Sequence, residues 1–210
     1  MLRPDHTTPI ARIAASRLKK EPLPIRLYYS DSVFRKNANR DGVELFQSGL
    51  ELLGKSGIEQ DLEAIQICVS SLEAIGIQDL QIDIGHQSFI ESLSEEEKYQ
   101  MISGDYVSLG RIPERGGLEI IKNNTYLTEL YQRLSSEGIK NIHINKGLIK
   151  EFKYYTGITF ECSVNGFGRP LASGGRYDQL ISKFGFDCPA VGFAISINDI
   201  LILKQRGQLS

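Results

Sequence analysis

Apolar residues recur at helical spacing near the start of the chain, at Ile10, Ile13, Ala14 and Leu18. With Thr8 as a cap and Pro9 at the first helical position, the spacing predicts a helix over about 9–19. Glu21-Pro22-Leu23-Pro24 stops it. Residues 25–34 are rich in Tyr, Val, Leu and Phe and predict a strand, 36–42 form a polar loop, and 43–53 predict a second strand. Together 25–53 read as a long hairpin. Leu62, Ile65, Val69 and Leu72 share one face of a helix over 59–75 that Gly76 closes. Residues 80–84 alternate as a strand.

The middle changes character. Residues 86–140 are predicted mostly helical with charged faces, and 104–117, with four glycines and a proline, as loop. Ser94 and Glu97 have the spacing of a capping box. Leu127, Leu130, Tyr131 and Leu134 form one stripe closed by Gly138. Strands are predicted at 141–144, 148–155 and 158–164, a turn at Asn165-Gly166, a returning strand at 169–173, a short helix at 177–184, a strand at 191–195 and a last helix from Asp199. No internal repeat or low-complexity tract occurs. The strands follow hairpin order, so the expected fold is α+β, a mostly antiparallel sheet flanked by helices. The expected organisation is a core of 1–85 and 141–210 interrupted by a small helical insertion at 86–140.

Composition narrows the function classes. The 210 residues are 41% hydrophobic and 24% charged, which excludes wholesale disorder. Twenty-four basic residues against 26 acidic ones give a net charge of -2 and no overall reason to expect nucleic-acid binding. No apolar run is long enough for a membrane span, and the first residues lack the apolar core of a signal peptide. Cys68, Cys162 and Cys188 are far apart and read as buried thiols of a reducing cytosol. Asn123-Asn124-Thr125 matches a glycosylation sequon by chance. His6, His86 and His143 have no metal-ligand spacing, so no metal and no cofactor are expected.

Three segments could carry chemistry. Gln47, Gly49 and Glu51 would share one face of a strand, the glycine leaving a gap between an amide and a carboxylate where a ligand with an ammonium or ring N–H could sit. Taken alone, a solvated sheet edge is the plainer reading of these residues. Tyr154 and Tyr155, adjacent on a strand, would face opposite ways, one packing in the core and one offering a hydroxyl; both as core aromatics is the plainer reading. Gly174-Gly175 would lead into a short helix whose amide end could attract an anion, or form an ordinary turn. Dinucleotide and P-loop patterns are absent.

Several segments occur together and in order: Leu2-Arg3-Pro4-Asp5-His6-Thr7-Thr8-Pro9, Val33-Phe34-Arg35, Gln47–Glu51, Tyr154-Tyr155-Thr156-Gly157, Gly174-Gly175-Arg176-Tyr177-Asp178 and Pro189-Ala190-Val191-Gly192-Phe193-Ala194. In this order the chain resembles histidyl-tRNA synthetase-like proteins over almost its whole length. The resemblance implies the class II aminoacyl-tRNA synthetase-like fold. Within that group the pattern is most similar to regulatory subunits of ATP phosphoribosyltransferase. Asp5, Thr7, Arg35, Gln47, Glu51, Tyr154 and Tyr155 then fall on or near histidine-binding positions.

The departures from a synthetase matter as much. An expected Arg-Gly-Leu-Asp stretch is Lys150-Glu151-Phe152-Lys153, and lysine does not reproduce arginine's bidentate fork. An expected Glu-Arg pair is Asn198-Asp199, where aspartate facing a polyphosphate would repel it. A glutamate expected two residues after Arg35 is Asn37. The resemblance therefore implies a non-catalytic regulatory subunit, cytoplasmic, partnering the short-form ATP phosphoribosyltransferase catalytic subunit, with L-histidine as effector and self-association in the complete protein. A divergent histidyl-tRNA synthetase core is the enzyme alternative, and a synthetase-like protein reused for another task is the third. The match starts late in the family pattern, so the sequence is expected to be N-terminally short.

Overall fold

The computed structural model describes residues 2–35, 44–121, 124–150, 152 and 154–209. The polar loop expected at 36–42, Val43, Asn123 of the sequon, Glu151 and Lys153 lie outside the described residues. The chain order is α1 (Thr7–Ser16), β1 (Ile25–Phe34), β2 (Glu44–Leu53), α2 (Ile58–Ala74), β3 (Gln81–His86), α3 (Glu95–Ser103), α4 (Tyr106–Leu109), β4 (Arg115–Gly116), α5 (Thr125–Ser136), β5 (Ile142–Asn145), β6 (Ile158–Ser163), β7 (Ala172–Arg176), β8 (Ala190–Ser196) and α6 (Ile197–Gln205).

The strands form one eight-stranded sheet in the order β1-β2-β8-β7-β6-β3-β5-β4. Neighbours are antiparallel except β3 and β5, which run parallel. The long hairpin forms as expected, Ile25 pairing with Leu53 and Phe34 with Glu44. β2 also pairs with β8, so it is an interior strand and the sheet-edge reading of Gln47, Gly49 and Glu51 falls.

The two faces of the sheet are unlike, and period-2 alternation decides which residue goes where. One face is apolar: Ile82, Ile84, Phe160, Cys162, Phe193 and Ile195 meet Leu62, Ile65, Val69 and Leu72 of α2 and the α5 stripe of Leu127, Leu130 and Leu134. On the other face, α1 packs Ala11 and Ala14 against Leu53, Tyr177, Leu180 and Ala190 at one end. Beyond α1 that face carries Gln47, Gly49, Glu51, Ser173, Gly175 and Gly192, small or polar groups that a helix layer would not cover.

Local chemistry explains the helix ends. Gly76, at φ 92°, closes α2: its N–H reaches Glu73 O at 2.9 Å and that of Ile77 reaches Leu72 O at 3.1 Å. The same paired bonds close α5 at Gly138. Ser94 and Glu97 make the reciprocal capping box of α3. At α1 the cap is Asp5, two residues before the helix, whose Oδ1 accepts from Thr8 N at 2.6 Å; Thr8 lies inside the helix.

Four other local expectations change. The described residues of the 148–155 stretch (148–150, 152, 154 and 155) form no strand; several of them line the cavity on the open face. The expected 104–117 loop contains α4 and β4, the latter pairing with β5. Gly174-Gly175 sit within β7, and the next short helix, a 3-10 turn, begins at Ile181, so no helical amide end follows the glycines. The returning strand is 172–176, not 169–173. Among the described residues, no helix is long and apolar enough to cross a membrane, and no cluster of His, Cys, Asp or Glu could hold a metal ion. Cys68, Cys162 and Cys188 are buried free thiols.

Candidate ligand-binding site

Three glycines create the site. At Gly49 a Cβ would lie 2.5 Å from the Tyr29 ring, at Gly175 2.9 Å from the Tyr155 ring, and at Gly192 it would overlap the Glu51 carboxylate. Each strand thus gives up a side chain so that a neighbour's large or charged group can lie across the sheet. The result is a cavity of about 330 Å³ between β2, β8, β7, the start of α1 and the 148–155 segment.

Of the residues predicted from sequence, Asp5, Thr7, Arg35, Gln47, Tyr154 and Tyr155 line this cavity together. Glu51 does not line it. It lies beneath, 1% exposed, where Thr7 Oγ1 donates to Oε1 at 2.8 Å and the Tyr177 hydroxyl donates to Oε2. Thr7 and Tyr177 both reach the cavity, so Glu51 acts on it through two hydroxyls. Burial pushes its carboxyl up to about 7, against the pull of those two hydrogen bonds.

Both tyrosines of the pair turn to the cavity, contrary to the opposite-facing expectation, because the segment is not a strand. Their rings lie 4.9 Å apart, and Tyr154 stacks on Phe152 at 5.3 Å and meets Tyr177 edge-on at 5.8 Å. Burial pushes both phenols well above their ordinary range, so both stay protonated donors. Arg35 stacks over Phe152 at 5.0 Å while its Nε donates to Pro4 O at 2.5 Å.

Lys150 is the buried cation of the site. Its Nζ donates to Glu161 Oε1 at 2.6 Å and to Ser173 Oγ at 2.8 Å, and burial lowers its pKa despite the carboxylate. An ammonium has three donors; two have these partners. Asp199 corrects the sequence argument. It is buried on α6 and accepts from Arg169 Nε at 2.7 Å, so it faces no polyphosphate. Asn198 Oδ1 accepts from the backbone N–H of Phe46 at 2.6 Å and serves to join α6 to β2.

Sequence reasoning missed other lining residues, among them His6, Tyr29, Ser173, Glu161 and Tyr177. His6 packs on Tyr29 with centroids 4.3 Å apart and contacts Asp31 O at 3.1 Å. Tyr29 lies opposite Gly49 in the hairpin register, a signal available once the hairpin was drawn. Ser173 and Glu161, which hold Lys150, come from β7 and β6 and carry no local signature. Gly192→Ala tests the floor: the new Cβ has no room beside Glu51 and Leu50 O. Such overpacking is expected to cost about 1–3 kcal/mol. An unchanged urea midpoint would refute this placement of Glu51.

The cavity can therefore take a small zwitterion. Its lining offers a carboxylate at Asp5, a guanidinium at Arg35, the mutually paired Lys150 and Glu161, hydroxyls at Thr7 and Tyr154, and the amide of Gln47.

Comparison with known proteins agrees with this architecture. The family model described as histidyl-tRNA synthetase matches residues 1–104 and 111–200. The ATP phosphoribosyltransferase regulatory subunit of Clostridium botulinum is 31% identical over the whole of this chain and 61% of its own length. That of Moorella thermoacetica is 32% identical over 97% of this chain and 64% of its own. The chain thus spans a little under two thirds of the length of these curated relatives. The crystal structure of an ATP phosphoribosyltransferase regulatory subunit/histidyl-tRNA synthetase from Bacillus halodurans superposes with a TM-score of 0.81 at 30% identity, over 93% of this chain and 62% of that one. With sheet, helices and ordered motifs matched along nearly all of its length, this chain belongs to the histidyl-tRNA synthetase family.

Proposed function

We propose that the whole protein is the regulatory subunit of an ATP phosphoribosyltransferase, working in the cytoplasm in the first step of L-histidine biosynthesis. It partners the short-form catalytic subunit, which binds ATP and phosphoribosyl pyrophosphate, and does no chemistry itself. The observation that carries this reading is the match, along the whole chain, to relatives bearing that name. The site supports it in two ways. A cavity sized for an amino acid keeps groups of both charges. The positions that would serve activation in a synthetase are otherwise engaged, Lys150 with Glu161 and Asp199, in place of the ATP-gripping arginine, with Arg169.

L-histidine is the proposed effector, held by Asp5, Thr7, Arg35, Gln47, Tyr154 and Tyr155, with Glu51 tuning the floor. A bound effector matters only if it favours one state of the assembly over another. Coupling of about 1–3 kcal/mol would change apparent affinity roughly fivefold to 150-fold. Self-association of the complete protein belongs to the same proposal.

The test is phosphoribosyl-ATP formation by a short catalytic subunit, with and without the complete protein, across a histidine titration. Higher activity and new histidine sensitivity are expected; equal rates throughout would remove the reading. At the pocket, Gln47→Ala is expected to weaken histidine binding about two- to tenfold, the worth of one neutral hydrogen bond. Unchanged affinity by calorimetry would place histidine elsewhere. The match to the synthetase family model favours a second reading, a divergent histidyl-tRNA synthetase core. Histidine-dependent pyrophosphate–ATP exchange would establish it; none is expected.

A further inference from the structure

A second cavity, of about 370 Å³, lies between α3, the turn after β3 and the 148–155 segment. It shares Ile102, Ile149, Lys150, Phe152 and Tyr155 with the first cavity, so the end of α3 and these residues before β6 form a common wall. None of Asp5, Thr7 and Gln47 reaches it. We propose that this cavity is a separate binding site for a flat, neutral heteroaromatic ring of one or two fused rings carrying hydrogen-bond acceptors.

The walls set the apolar, aromatic character that suits a ring. Ile90, Ile102 and Leu148 supply aliphatic surface and Tyr155 and Tyr99 supply rings, while Phe152, already stacked on Tyr154 and under Arg35, also lines the wall. Tyr99 is 71% exposed at the mouth, free to fold over a ring. Such sites are mostly apolar with a few placed polar groups.

The polar groups set the charge. Two lysines line the cavity, and each already has a carboxylate: Lys98 Nζ is 3.0 Å from Glu95 and Lys150 Nζ 2.6 Å from Glu161. An anion would therefore gain little net attraction while losing its hydration. Glu95, paired with Lys98, also lines the cavity, so the neutral polar groups that remain are His86, Gln87 and the Thr159 hydroxyl. Ser88 N–H donates to His86 Nδ1 at 3.1 Å, which fixes Nδ1 as the acceptor. Burial lowers the His86 pKa, so the neutral ring, which lines the cavity, carries its proton on Nε2. The Gln87 amide adds both a donor and an acceptor. A ring nitrogen or exocyclic carbonyl matches this set; a carboxylate does not.

The site is independent of the regulatory reading, and its test separates the two. Saturation-transfer NMR on the intact chain would use quinazoline and adenine as neutral probes and 2-naphthoate as the anionic one. Signal transfer from the neutral rings is expected, with weaker transfer from the naphthoate. Ile90→Trp, which fills the cavity, should abolish it, and His86→Phe should weaken binding about two- to tenfold, the loss of one hydrogen bond. Tyr99→Ala, a change at an exposed side chain, should also weaken it and guards against a folding failure. Histidine binding at the first cavity, measured by calorimetry, should persist in all three variants. The proposal is overturned if the neutral probes give no transfer, if the naphthoate binds as tightly, or if transfer survives Ile90→Trp and Tyr99→Ala.

Discussion

Arg176→Met is expected to lower the unfolding free energy by about 3–5 kcal/mol, the cost of leaving a buried charge without its partner. Arg176 is 6% exposed at the end of β7. Its Nη2 donates to Asp61 Oδ1 at 2.5 Å and to Gly57 O at 3.0 Å, and its Nη1 donates to Asp178 Oδ1 at 2.9 Å. Asp61 is fully buried on α2, where the Tyr126 hydroxyl of α5 also donates to it. Burial holds the Asp61 carboxyl above its ordinary value even beside the guanidinium. One side chain thus ties the sheet to α2 and, through Asp61, to α5. It also fixes the residue before Tyr177, whose hydroxyl meets Glu51. Asp61→Leu added to Arg176→Met should restore a good part of the loss, because the orphaned carboxyl is then gone. Urea denaturation of wild type, single and double variants reads this directly. A loss under about 1 kcal/mol in the single variant would mean that the pair is solvated.

Glu51→Gln is expected to gain about 3 kcal/mol over wild type at pH 8 and little at pH 4. The sign follows from where the proton sits. In the folded protein the Glu51 carboxyl titrates at about 7, above the ordinary 4.5. Below about pH 4.5 both states hold the proton and the group contributes no slope. Between 4.5 and 7 the unfolded chain has released it while the folded one keeps it, so stability falls as pH rises. Above 7 the loss is complete. A tenfold difference in proton affinity between the two states is worth about 1.4 kcal/mol, so the gap between 4.5 and about 7 amounts to about 3 kcal/mol. Glutamine carries no charge to desolvate and can still accept from Thr7. Asp61 also titrates above its ordinary value, so the informative quantity is wild type minus variant at each pH. Parallel stability–pH curves for the two proteins would show that Glu51 titrates normally. A cationic ligand group nearby would lower the Glu51 pKa, so histidine binding at a pH slightly below 7 should release a fraction of a proton, visible as buffer-dependent heat.

Much of the fold was legible in the sequence because it is local chemistry. The hairpin came from two β-rich runs around a polar loop. The ends of α2 and α5 came from Gly76 and Gly138, where a left-handed residue costs glycine nothing. The capping box of α3 came from Ser94 and Glu97. The failures are where a neighbour decides. The 148–155 stretch has strand composition, yet its described residues form no strand, because Lys150 finds Glu161 and Ser173 across the cavity and both tyrosines turn inward. Gly174-Gly175 resembles a turn by composition. In β7, a Cβ at Gly175 would strike the Ile158 carbonyl oxygen at 2.5 Å and the Tyr155 ring at 2.9 Å.

The candidate site divides the same way. The ordered motifs put Asp5, Thr7, Arg35, Gln47, Tyr154 and Tyr155 on candidate positions, and all of them line one cavity. Sequence could not show that Glu51 lies under the floor, or that Asp199 pairs with Arg169 instead of facing a ligand. Residue type and spacing determine which elements form, since caps, turns and alternation act within a few residues. Which charges meet, and which carboxyl titrates near neutrality, depends on burial and on partners tens of residues away. Thr7 and Tyr177 stand 44 and 126 residues from Glu51 and meet it only when the sheet closes.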